Sequence, residues 1–267
     1  MSWDGLRLSV TLLTVFPVRH EPEAPGRRDA ETAILWAPAV GAGLGAIAAA
    51  VLLLAGPLGE GRLTSAALAV ATLAALTRGL HLDGLADLAD GLGSGQPAAQ
   101  ALDIMRRGDV GPFGVVTLVL TVLIQVAAVA HAGAQGAARG AAALIAAAVT
   151  GRLALAWACR QGVPAARPGG LGAMVAGTVR PAAAWTLTAG ALTAATAAVL
   201  TSTGAHGGAL GWTLPAAVAA GLAAALALQE HAVRRLGGIT GDVLGALVEI
   251  AATVCLLVAA MGPAGTV

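Results

Sequence analysis

Apolar residues run along this chain in long blocks rather than in the narrow stripes of a soluble helical fold. The blocks lie near Ala33–Ala55, Leu63–Leu80, Gly111–Ala130, Ala141–Ala158, Ala182–Leu200, Trp212–Leu228 and Ile239–Ala260. About 20 helical residues cross a hydrocarbon core of ~30 Å, so the pattern predicts an all-α, polytopic membrane bundle with about seven transmembrane helices. A shorter apolar stretch from Leu6 to Val15 contains Arg7, and no clear cleavage site follows it. It reads as an interfacial helix rather than a removed leader. No internal repeat or low-complexity linker interrupts the order, so residues 1–267 are read as one domain.

Composition agrees with this pattern. Of the 267 residues, 57% are hydrophobic and 11% charged, and the mean hydropathy is +0.82; about a quarter of the residues in a soluble protein are charged. All 15 basic residues are Arg, and the net charge of +1 carries no pull toward nucleic acid. The two cysteines, Cys159 and Cys255, lie far apart in apolar surroundings and predict free thiols, with no zinc-ligand spacing. With the N-terminus on the cytoplasmic side, twelve Arg fall in cytoplasmic segments, only Arg62 and Arg139 fall outside, and Arg152 lies within a span. That asymmetry predicts a cytoplasmic N-terminus in a multi-pass protein of the cell membrane.

Carboxylates collect on the same side. In Arg78-Gly-Leu-His-Leu-Asp-Gly-Leu-Ala-Asp-Leu-Ala-Asp-Gly-Leu92, the spacing i, i+4, i+7 places Asp83, Asp87 and Asp90 on one helix face. Three acids on one stripe repel unless a cation sits among them. A hard divalent ion, Mg²⁺ with Mn²⁺ as a substitute, takes such oxygen ligands and can hold a diphosphate opposite the protein. The alternative is a solvated acidic face, which a membrane-like chain makes less natural. Asp103 and Asp109, in the loop Asp103-Ile-Met-Arg-Arg-Gly-Asp-Val-Gly-Pro-Phe-Gly114, are candidates to complete the set, against helix-capping or surface roles. The ligand set read from the sequence is Asp83, Asp87, Asp90 and Asp109.

A second polar island follows at Arg234-Arg-Leu-Gly-Gly-Ile-Thr-Gly-Asp-Val-Leu-Gly-Ala-Leu-Val-Glu249. Thr240 and Asp242 stand at the mouth of an apolar span, and Glu249 lies two turns deeper on the face of Asp242. Thr-Gly-Asp can cap the helix or serve a site; Arg152 can pair with Glu249 or meet a substrate phosphate.

The blocks His81-Leu-Asp-Gly-Leu-Ala-Asp-Leu-Ala-Asp-Gly91, Ile104-Met-Arg with Gly111-Pro-Phe-Gly114, and Gly237-Gly-Ile-Thr-Gly-Asp-Val-Leu-Gly-Ala246 resemble the adenosylcobinamide-GDP ribazoletransferase, or cobalamin synthase, family. Leu13-Thr-Val-Phe-Pro-Val18 is similar to that family's opening, and the resemblance covers nearly the whole chain. One block departs: many members read Lys-Asp-Ser-Arg where this chain has Arg106-Arg-Gly-Asp109. The resemblance implies an Mg²⁺-dependent membrane phosphotransferase that joins adenosylcobinamide-GDP to α-ribazole, or to α-ribazole 5′-phosphate, and releases GMP. For that chemistry the candidate catalytic groups are His81, Asp90 and Asp109. The candidate substrate contacts are Arg78, Arg106, Arg107, Arg180, Thr240 and Asp242. A homo-oligomer is left open.

Two rival functions fit less well. CDP-alcohol phosphotransferases carry D-G-x-x-A-R, whereas Asp83-Gly-Leu-Ala-Asp87 brings its second acid one residue too early and no Arg follows. A small proton-coupled transporter using Asp242, Glu249 and Arg152 would need polar groups along a path, but the acids gather at one end.

Overall fold

The computed structural model describes residues 3–18, 26–202 and 213–261. Arg19, His20, His206 and the predicted start of a span at Trp212 lie outside them. The described residues form eleven helices and no strand: α1 Trp3–Leu13, α2 Arg27–Ala55, α3 Arg62–Leu76, α4 Leu80–Gly93, α5 Ala98–Ile104, α6 Pro112–Ala134, α7 Ala137–Ala158, α8 Leu171–Val175, α9 Pro181–Ser202, α10 Thr213–Leu236 and α11 Gly241–Ala260.

Six of them, α2, α6, α7, α9, α10 and α11, are long and apolar enough to cross a membrane, and α3 with α4 makes a seventh, sharply bent pair. The protein is a polytopic helical membrane protein. The bend corrects one expectation, because the block Leu63–Leu80 is not one straight span. Arg78 and Gly79 take left-handed backbone, at φ 57° and 67°, and α4 leaves the axis of α3 at 88°.

Helix α7 is the hub. Every residue from Thr150 to Ala158 is buried, as expected of a helix with neighbours all round. Small residues set how closely the others approach it. A Cβ on Gly45 would lie 2.8 Å from Ile145 Cα of α7, whereas one on Gly43 would meet nothing within 4 Å, so only part of that glycine run serves packing. One apolar core gathers Leu153, Trp157 and Val243 at the end where α2, α6, α9 and α11 begin. Another gathers Val129, Leu144 and Cys255 toward the opposite end, where Gln135 and Arg139 side chains hydrogen-bond to the last carbonyls of α11.

At the first end, the segment between α7 and α9 folds over the bundle. It forms isolated parallel bridges, Arg160 with Val179 and Ala165 with Ile239. The Arg27 guanidinium ties α2 to this cover, donating to the Ala176 carbonyl at 2.7 Å.

Candidate active site

The bend after α3 lays α4 across the end of the bundle, and a close crossing fixes it against α11. A Cβ on Gly84 would lie 2.8 Å from the Asp242 carbonyl oxygen, and one on Gly245 would lie 3.2 Å from His81 Cα. Glycine on both helices therefore brings the two polar islands, 160 residues apart, into one site.

The three aspartates of α4 have different surroundings. Asp83 is exposed, Asp87 half-buried and Asp90 buried. The charges of Asp83, Asp242 and Asp90 bear on Asp87, and Arg167 is the cation set against them among the described residues. Asp83, Asp87 and Asp242 thus form a crowded acidic group at the junction of α4 and α11.

Asp90 faces elsewhere. Its carboxylate accepts the backbone N–H of Gly111 at 2.7 Å and of Gly114 at 2.9 Å, which satisfies donors at the start of α6 and complements its dipole. Asp109 is exposed in the turn before α6, with its N–H bonded to the Arg107 carbonyl. The four acids expected as one ligand set, Asp83, Asp87, Asp90 and Asp109, therefore do not come together. Among the described residues, no three His, Cys, Asp or Glu side chains are grouped so as to hold a metal ion by themselves. Mg²⁺ rarely uses an all-protein cage, taking one or two carboxylates and completing its shell with water and substrate phosphate. The oxygens of Asp83, Asp87 and Asp242 suit that chemistry.

Thr240 is the residue that caps α11. Its hydroxyl accepts the Val243 N–H at 3.2 Å and donates to an Asp242 oxygen at 3.1 Å. The cap leaves the Asp242 carboxylate on the site. His81 is buried against α11, and neither ring nitrogen has a hydrogen-bond partner.

The expected arginines divide. Arg78 is exposed and lines a cleft beside Asp83 and Asp242. Arg106 lies within electrostatic reach of Arg167. Arg107 lines a separate recess with Asp103 and Gln100, and Arg180 pairs with Glu31 at 3.8 Å, on the rim of the bundle. Sequence reasoning missed Arg167. Its guanidinium donates to the Leu102 carbonyl and feels Asp242, Asp103 and Asp87. The Pro164 to Gly170 turn that carries it gave the only signal. Deeper in the bundle, Gln125 donates to Glu249 at 2.8 Å and to Thr253 at 2.9 Å. Arg152 and Glu249 line one small cavity there.

The fold and site define an integral membrane protein with an acidic, Arg-flanked centre at one end of its helical bundle. Comparison with known proteins gives the family: a model described as Cobalamin-5-phosphate synthase matches residues 5–260, and the chain belongs to that family. Among curated relatives, the adenosylcobinamide-GDP ribazoletransferase of Frankia casuarinae is 44% identical over 266 residues, covering 96% of this chain and 94% of the relative. The protein of the same name from Nocardioides sp. is 38% identical, with 95% and 97% covered, and that of Corynebacterium efficiens is 35% identical, with 98% and 93% covered. No solved structure matches the chain.

Proposed function

We propose that this protein is an Mg²⁺-dependent adenosylcobinamide-GDP ribazoletransferase, working at the cytoplasmic face of the cell membrane in the last step of cobalamin assembly. The observation that carries the reading is the convergence of Asp83 and Asp87 of α4 with Asp242 of α11 beside Arg167, in a chain of this family. The acceptor is α-ribazole or its 5′-phosphate. Its hydroxyl oxygen attacks the phosphorus next to the cobinamide, a new P–O bond forms, and the bond to the bridging oxygen breaks so that GMP leaves.

Each part has a residue to serve it. One or two of the carboxylates of Asp83, Asp87 and Asp242 would hold the Mg²⁺, which when bound neutralises diphosphate charge. Arg167 and Arg106 hold the guanylyl diphosphate. A carboxylate of the acidic group that the metal leaves free accepts the acceptor hydroxyl's proton as the bond forms. Arg78 is placed for a phosphate on the acceptor.

Purified protein given adenosylcobinamide-GDP, α-ribazole and Mg²⁺ is expected to release GMP. Asp83→Asn and Asp87→Asn keep shape but remove charge, and each is expected to lower turnover at least a hundredfold at limiting Mg²⁺ while membrane insertion is unchanged. Full turnover by both variants would refute the metal assignment, and absence of GMP from the wild type would refute the activity.

A further inference from the structure

The acidic group has two unlike flanks. On one side stand guanidinium groups: Arg167 feels Asp87 and Asp242, with Arg106 and Asp103 beyond it. On the other side opens an apolar cleft of ≈ 320 Å³ between α1, α2, α8 and the start of α11. Its walls include Leu12, Ile34, Leu171 and Met174. Its polar end is made by His81, Asp83 and Asp242, and Arg78 is the one cation among the lining residues described.

The occupant follows from size and polarity. Pockets for drug-sized ligands run from about 300 Å³ upward, so this cleft holds one small bicyclic ring system and is far too small for a corrinoid macrocycle with its side chains. Greasy walls and a single cation suit an apolar base better than a guanine with its many donors and acceptors. Asp83 and Asp242 stand at the polar end of the cleft, where a sugar hydroxyl meets carboxylate oxygens that can accept its hydrogen bond. Building on the activity argued above, we propose that this cleft seats the benzimidazole base of the ribazole acceptor and turns its ribose hydroxyl toward the aspartates.

That assignment also fixes the direction of the reaction. An in-line displacement places the incoming oxygen and the departing group on opposite sides of the phosphorus. With the acceptor in the cleft and the guanylyl group on Arg167 and Arg106, the phosphorus lies between them, over Asp83, Asp87 and Asp242. The two substrates then approach from different sides and do not compete for one pocket.

The test separates the two substrates. Leu12→Trp, on α1, and Leu171→Trp, on α8, each place an indole in the cleft from partly exposed positions outside the core. Both are expected to raise KM for α-ribazole at least tenfold while KM for adenosylcobinamide-GDP moves less than twofold. A rise in the donor's KM, or no change in either, would overturn the assignment while the transferase reading stands; a wild type that releases no GMP would overturn both. A measurement on unaltered protein guards against misfolded variants. An azido-benzimidazole riboside, photolysed with wild type in membranes, is expected to label residues 8–13 or 171–175, and labelling elsewhere alone would refute the proposal.

Discussion

At the residue scale, neighbours three or four positions apart were legible and distant ones were not. The stripe of Asp83, Asp87 and Asp90 follows from helical spacing, but the use of Asp90 as the cap of α6 depends on backbone N–H groups 21 and 24 residues away. No local pattern announces such a bond. The same holds for Arg167, whose role rests on a fold-over of the chain. Thr240 and Asp242 looked interchangeable as a cap or a site in the sequence, and the structure divides the duties, with the hydroxyl on the helix end and the carboxylate toward Asp83. Thr240→Ala is therefore expected to cost about 1 kcal/mol of stability, read as a lower thermal midpoint with modest loss of turnover. Asp242→Asn is expected to leave the midpoint in place and lower kcat/KM for GMP release at least tenfold, about 1.4 kcal/mol of transition-state stabilisation. The reverse pattern, with Asp242→Asn unfolding the protein and retaining turnover, would return Asp242 to a purely structural part.

At the scale of elements, the apolar blocks located the spans well because lipid demands length and hydropathy from each helix separately. The turn between α3 and α4 was harder to see, since the apolar run continues through Leu80 and only Arg78-Gly79 marks the break. Glycine at the α4 and α11 crossing is what joins two islands that sequence spacing could not connect. Gly84→Ala would place a methyl 2.8 Å from the Asp242 carbonyl oxygen and 2.9 Å from its Cα, so backbone has to move. The expected outcome is separation of Asp83 from Asp242, with at least a tenfold loss of turnover and weaker Mg²⁺ dependence, while Gly43→Ala, on an open face of α2, behaves as wild type. Equal activity in the two variants would show that the crossing has slack the packing does not reveal.

For the molecule as a whole, the Arg asymmetry predicts an orientation for the bundle, and the structure groups the acidic residues at the end where those Arg collect. Single cysteines test the orientation. Gln96→Cys, in the exposed turn after α4, and Glu60→Cys, in the exposed turn before α3, are separated by the bundle, and the native Cys159 and Cys255 are both buried. A membrane-impermeant thiol reagent added to intact cells is expected to label Glu60→Cys and to reach Gln96→Cys only after lysis. Labelling of Gln96→Cys in intact cells would invert the topology and the side from which substrate arrives.

Helix α3 has only 15 residues, a rise of about 22 Å against a hydrocarbon core of ~30 Å. Because the chain turns through 88° at its end, α4 does not lengthen that crossing but leaves its axis. A span shorter than the core around it is met by local thinning of the bilayer, at a cost of fractions of a kcal/mol per Å, so the corner between α3 and α4 is where the thickness of the lipid and the shape of this bundle have to be reconciled.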